Sequence, residues 1–272
     1  MLLLRLFLIV LLAYGLLGSC SRRPEKEQKE GLTEYASNID TLPHDWPVPA
    51  SIPTKYLLGK YEPSQDSLFV KVEPPYGQDN GLGYLHKETY EAFKRMHEAA
   101  KSDGISLVIK SPTRNFYRQK EIWEAKWNGS RKVEGQNLSK SVPDPVQRAL
   151  VILRYSSMPG TSRHHWGTDI DLNAFENDYF KSGQGLKEYN WLQAHAHEYG
   201  FCQPYTPKGP ERPDGYEEER WHWSYLPLSR PYLEAYSLSI THDSIRGFAG
   251  AETAARIDVI SKYVMGINPA CK

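Results

Sequence analysis

The sequence predicts an α+β fold, a single small antiparallel sheet flanked by helices. Two observations predict it. Short runs alternate apolar and polar residues, at Ile105, Leu107 and Ile109, at Thr168 to Leu172 and at Trp221 to Tyr225, which is the period of half-buried strands. Between these runs lie longer stretches whose apolar residues recur at helical spacing, and no internal repeat is visible.

Residues 1–19 read as a targeting segment, with Arg5 as the only charge and an apolar run from Leu6 to Leu17 that is short for a membrane span. The run ends in Leu17-Gly18-Ser19-Cys20, which resembles a bacterial lipobox and implies cleavage before Cys20 and acylation of that cysteine. The expected location is the cell envelope, lipid-anchored and facing the periplasm, with Ser21 suiting outer-membrane sorting in a Gram-negative cell. Residues 20–45, polar and charged, read as a flexible tether. Residues 46–272 then form one domain, with an N-terminal extension rich in Pro and Tyr, a possible strand at Leu68 to Val72 and a C-terminal helical tail.

Within the domain, Lys87 to Lys101 is expected as a helix with Tyr90, Phe93, Met96 and Ala100 on one side and Gly104 beyond its end. The strand at Ile105 to Ile109 delivers Arg114 just past its end. Tyr117 to Trp127 reads as helical, and 129–143 as a polar loop. Asp144-Pro145 is a helix start, a capping residue followed by proline at the first helical position. Leu186 to Tyr199 is a helix ending at Gly200, and Phe201 to Tyr205 a strand. A loop over 206–218 precedes the strand at Trp221 to Tyr225, and Ala251 to Val264 reads as a last helix.

The chemistry concentrates in Ser162-Arg163-His164-His165-Trp166-Gly167-Thr168-Asp169-Ile170-Asp171 and in Glu219-Arg220-Trp221-His222. Two imidazoles and a carboxylate make a first shell for Zn²⁺, whose catalytic sites keep three protein ligands and leave a fourth position to water. A nearby glutamate can take the proton of that water. Alternation puts Asp169 and Asp171 on one face of their strand, while His164 must come from the loop before it, with Gly167 supplying the bend. Glu219 and His222 are an odd number of residues apart, so Glu219 is expected on a turn at the strand's beginning.

The pattern Ser-x-His-x-x-Gly-x-x-x-Asp followed by Glu-x-Trp-His resembles the zinc D-alanyl-D-alanine carboxypeptidases of the VanY type, within the lysostaphin, D-Ala-D-Ala peptidase and hedgehog superfamily. A third block, Ser111-Pro112-Thr113-Arg114-Asn115-Phe116-Tyr117-Arg118-Gln119, is similar to that family's Ser-Gly-Tyr-Arg-Ser-Tyr-x-x-Gln. Together the blocks cover about residues 84 to 226. The resemblance implies zinc on His164, Asp171 and His222, carried by the sheet, with Glu219 as base. It also implies Arg114 as both a catalytic and a substrate-binding group and a peptidoglycan peptide as substrate, while Gln119 and Ser162 are read as cleft-shaping or substrate-binding groups. The departures are Asp169, where the family usually has Ala, and Pro112-Thr113 for Gly-Tyr. Asp169 is expected to hydrogen-bond a ligand histidine or nearby main chain.

The same motifs suit an L,D-carboxypeptidase, a cross-link endopeptidase, or a wall-binding lipoprotein that keeps zinc for structure. Charges balance at 33 basic and 33 acidic side chains, so no electrostatic footprint for nucleic acid exists. Among other histidines, His165 is expected at the cleft rim and His195 as a satisfied core residue. Glu217 and Glu218 read as a solvated loop. Cys202 and Cys271 either pair or remain thiols.

Overall fold

The structure, a computed structural model, describes residues 51–77 and 83–272; the targeting segment, Cys20 and the tether lie outside the described residues. Strands β1 (Phe69–Lys71) and β2 (Tyr84–His86) form a two-stranded antiparallel ribbon. Strands β3 (Ile109–Ser111), β4 (Asp169–Leu172), β5 (Phe201–Cys202) and β6 (His222–Tyr225) form the main sheet in the order β3-β4-β6-β5, each pair antiparallel. The helices are α1 (Thr54–Leu57), α2 (Lys87–Ser102), α3 (Phe116–Trp127), α4 (Leu138–Ser141), α5 (Pro145–Ile152), α6 (Gly183–His195), α7 (Leu226–Ser239) and α8 (Thr253–Ile257).

The register decides what each sheet face carries. Ile170 stands opposite Trp223 and Phe201 opposite Tyr225, so these side chains share one face. That face packs on Tyr90, Phe93, Met96 and Ala100 of α2 and on Trp191 and Leu192 of α6. Each fully buried side chain of this size contributes roughly 1.5–3 kcal/mol, so the predicted stripe of α2 is what fastens the helix to the sheet. Asp169 opposite Ser224 and Asp171 opposite His222 occupy the other face. A second core, built from α3, α5, α7 and the C-terminal segment, reaches that face through Trp166 and Tyr205. The polar face is therefore as buried as the apolar one.

Local rules explain most boundaries. Asn115 caps α3 by accepting the Arg118 N–H at 2.9 Å, and Asp144 caps α5 by accepting that of Gln147 at 2.8 Å, with Pro145 next in line. The strand expected over 105–109 pairs only from Ile109, because Asn173 intervenes. Its side chain accepts the Val108 N–H at 2.7 Å and its own N–H bonds the Val108 carbonyl. The strand expected over 201–205 stops at Cys202, since Pro204 has no N–H to offer the ladder. The helix expected over 251–264 is broken at Asp258, which takes a left-handed φ of 56°, and one turn of α4 forms inside the predicted polar loop. Helix α7 went unanticipated because Pro227 and Pro231 argue against helix. Pro227 falls in the first turn, where its missing N–H costs nothing.

Cys202 and Cys271 form a disulfide across a sequence separation of 69 residues, tying the C-terminal end to the edge strand β5. In the chain-entropy account a loop of that length is worth about 4 kcal/mol.

Candidate metal centre

His164 sits in a tight 3₁₀ turn, Arg163–Trp166, closed by Gly167 at φ 72°. A side chain at Gly167 would be strained in that conformation and would meet the Phe69 ring at 2.4 Å, so the bend requires glycine. Strand β4 then presents Asp171, and β6 presents His222 directly opposite it. Glu219 lies just ahead of β6, on the turn where the His222 N–H bonds its carbonyl at 3.3 Å. Both the loop origin of His164 and the turn at Glu219 match the sequence expectation.

Ligand atoms of His164, Asp171 and His222 all lie within 4.8 Å of one another, and the three residues are buried. Each ring is held from behind. His164 Nδ1 donates to the Pro112 carbonyl at 2.9 Å, which leaves Nε2 turned to Asp171 Oδ2 at 3.2 Å. His222 Nε2 donates to Asp169 Oδ2 at 2.8 Å, which leaves Nδ1 facing Asp171 Oδ1 at 3.1 Å and Glu219 Oε2 at 3.3 Å.

This arrangement fits a bound cation. His164 Nε2 and Asp171 Oδ1 are buried and, despite those short distances, lie off hydrogen-bond geometry with no partner. A buried acceptor left so costs about 1–3 kcal/mol, and a cation at the common focus would engage both. The electrostatics point the same way. Burial works against charge on His222, but the carboxylates of Asp169, Asp171 and Glu219 around it outweigh that and hold its pKa well above the ordinary value. Burial would raise the Asp171 pKa, yet His164 and His222 keep it below the usual carboxylate range. The carboxylates thus favour positive charge at this point.

Glu219 is buried, and burial raises its pKa, with the neighbouring Asp171 adding to the effect and His222 opposing it. Arg114 follows β3, and its main chain is clamped to the metal loop by an N–H bond to the His164 carbonyl at 3.1 Å. Its guanidinium stays 4.0 Å from Asp171 Oδ2, 28 % exposed, with Nε unpartnered. That contact is too long to commit the group. Gln119 is buried on α3, donating from Nε2 to the Ser157 carbonyl at 2.8 Å while its Oε1 has no partner. Ser162 opens the metal loop, buried, and its Oγ too is unpartnered.

Sequence reasoning missed Lys126. It shares the Gln119 face of α3, two turns on, and its ammonium bonds Ser156 Oγ. Burial, with Arg131 and Arg114, lowers its pKa to about 8. Arg163 was also missed, although it stands between two motif residues; it is buried and pairs with Asp169 at 2.9 Å. Asp169 bonds His222, one of the three candidate ligands, as expected.

Two expectations are corrected. His165 is not at the rim but fully buried, its Nδ1 bonding the Arg114 carbonyl at 2.6 Å and its Nε2 accepting the Gly160 N–H at 2.9 Å. Burial lowers its pKa to about 3, so it is a neutral strut between two loops. His195 is not a core residue: its side chain is 41 % exposed, lies tilted against the Trp191 ring and pairs with Glu198 at 3.0 Å, because α6 ends there and the next turn peels away. Glu217 and Glu218 are partly exposed and ion-paired with Lys208 and Arg220, consistent with a loop role.

The family model described as VanY, D-alanyl-D-alanine carboxypeptidase, matches residues 83–228, more than half of the chain. A curated relative from Bacillus subtilis, "Putative carboxypeptidase YodJ", is 32 % identical over 194 residues, 69 % of this chain and 63 % of the relative. A D-alanyl-D-alanine carboxypeptidase of Enterococcus faecalis is 28 % identical over 131 residues, 48 % of this chain and 44 % of the relative. The chain thus spans less than two thirds of the length of either relative. A solved structure of the LdcB LD-carboxypeptidase aligns at 26 % identity and a TM-score of 0.45, covering 67 % of this chain and 77 % of that one. With the motif residues gathered around one sheet face and the family match running through all three blocks, the chain belongs to the VanY family of D-alanyl-D-alanine carboxypeptidases.

Proposed function

We propose that this protein is a zinc-dependent carboxypeptidase that removes the terminal D-alanine from peptidoglycan stem peptides. The observation that carries the reading is a buried carboxylate, Glu219, whose Oε2 lies 3.3 Å from His222 Nδ1, at the edge of a three-residue ligand set. A purely structural metal site has no use for such a base. Bound by His164, Asp171 and His222, zinc would supply Lewis-acid polarisation of a carbonyl and a lowered pKa for water.

The residues of the chain do the rest. Glu219, kept basic but poorly solvated, takes a proton from the attacking water and passes it to the leaving amine as the peptide bond breaks. The Arg114 guanidinium, only loosely engaged by Asp171, donates N–H groups to the substrate's free carboxylate or to the oxyanion that develops. The unpartnered Gln119 Oε1 and Ser162 Oγ supply further polar contacts, and Lys126 adds a second cation at the carboxylate end. The lipobox-like ending at Cys20 supports a lipid anchor that holds the domain at the membrane. Cys20→Ala is then expected to shift the protein from the membrane to the soluble fraction of cells, and a variant that stays membrane-bound would contradict it.

The activity is tested by incubating the zinc-loaded protein with defined muropeptides and weighing the products. Loss of one alanine from a D-Ala-D-Ala-terminated pentapeptide is expected. Intact pentapeptide alongside trimmed tetrapeptide would favour L,D-carboxypeptidase action, cut cross-links would favour an endopeptidase, and unprocessed but bound fragments would favour a wall-binding role. In the same assay Lys126→Met is expected to raise KM while leaving kcat nearly unchanged, because the lysine acts on binding alone.

A further inference from the structure

We infer that the buried Arg163–Asp169 pair, bridged by Ser224, is a positioning unit that fixes His222 in the orientation presenting Nδ1 to the metal. The inference rests on the metal reading above and concerns residues that touch no reacting atom.

Asp169 is fully buried and is surrounded by donors: Arg163 Nε at 2.9 Å, His222 Nε2 at 2.8 Å, Thr168 Oγ1 at 2.7 Å and Ser224 Oγ. Arg163 is equally buried. It donates from Nε and Nη2 to Ser224 Oγ, at 3.2 and 2.9 Å, and its guanidinium lies over the Trp166 ring at 4.8 Å. Neither member can rotate without abandoning several bonds.

The placement in the chain is what gives this cluster its meaning. Arg163 adjoins His164, Asp169 is two residues before Asp171 on the same strand face, and Ser224 is two residues beyond His222 on the same face of β6. Each member therefore belongs to a segment that carries a different ligand, and the cluster ties those segments together behind the focus. The Asp169 bond also dictates the tautomer, since a ring that donates from Nε2 can offer only Nδ1 to a cation. The arginine keeps the arrangement neutral. An unpaired carboxylate there would add to those of Asp171 and Glu219 and would carry the full penalty of a buried charge.

The test uses the purified chain and Zn²⁺ alone, with affinity read by competition against a chromophoric chelator and folding by circular dichroism. Asp169→Ala is expected to weaken zinc binding about 10–100-fold, the usual effect of losing such a partner. Because that change strands Arg163, the double variant Arg163→Met with Asp169→Ala removes both charges, and it is expected to melt closer to wild type while zinc remains 10–100-fold weaker. A folded double variant with wild-type zinc affinity would overturn the inference. Nitrogen NMR of zinc-loaded wild type needs no variant at all: His222 is expected to carry zinc on Nδ1 and a slowly exchanging proton on Nε2. The opposite assignment also overturns it. Wild type that takes up no zinc refutes the metal reading itself and not the brace alone, so the two failures are distinguishable.

Discussion

Glu219→Gln is expected to leave the protein folded and loaded with zinc while turnover of a D-Ala-D-Ala-terminated stem peptide falls about 10²–10⁴-fold. The amide has the shape of the carboxylate and can keep the main-chain bonds of this position, where the Glu219 N–H donates to the Tyr205 carbonyl at 2.9 Å and its own carbonyl accepts from Gln203 at 3.1 Å. What it cannot do is accept a proton. Substrate affinity should change little, since Glu219 is not one of the groups assigned to the carboxylate end. Turnover, zinc content and substrate affinity measured together check the claim; a loaded variant with near-normal turnover would remove Glu219 from the mechanism. Arg114→Ala offers a contrast, because a guanidinium that anchors the carboxylate in the ground state and also meets the developing oxyanion acts more strongly in the transition state, so its loss weakens both binding and turnover.

Asp171→Asn is expected to reduce bound zinc to background and to lower turnover by about 10³-fold or more, since Lewis-acid assistance is worth several kcal/mol. Asp171 is the hinge of the ligand set, with one oxygen toward each histidine ring. An asparagine fits the strand but halves the acceptor capacity and brings N–H groups toward the focus. Elemental analysis of freshly purified variant and wild type, with circular dichroism to establish that β4 still pairs, decides the matter. A variant retaining stoichiometric metal would show that Asp171 is not a ligand.

Much of the site was legible because its residues lie in short blocks with geometric parity. The alternation of β4 put both aspartates on one face, and the odd offset of His164 demanded a turn that Gly167 could make. The helix α2 was legible from its apolar stripe, and α5 from its capping aspartate and the proline after it. What remained hidden depends on contacts between segments. His165 and His164 are indistinguishable as residues, and only the approach of the 59–61 and 114–115 segments makes one a strut and the other a candidate ligand. Arg163 looks like any surface arginine until β6 brings Ser224 beneath it. Lys126 carries no motif signal, since its role comes from a loop about 30 residues away. Helix α7 was obscured by two prolines whose positions, rather than presence, determine whether a helix survives.

The spacing of the partners has a consequence for how the protein is made. The bond from His164 to Pro112 spans 52 residues and that from His222 to Asp169 spans 53. A chain leaving the ribosome therefore exposes His164 and Asp171 well before β6 exists to meet them. Until His222 arrives, only two of the three candidate ligands are available, although His164 already has its Pro112 acceptor, so on the zinc reading an ion would not serve as the nucleus around which the domain condenses. Apolar packing of α2 against the sheet would then come first, and a metal would be taken up by an almost finished fold. In kinetic terms a bound ion would act as a latch: it should slow unfolding far more than it speeds folding, because the contacts it reinforces form on the native side of the barrier.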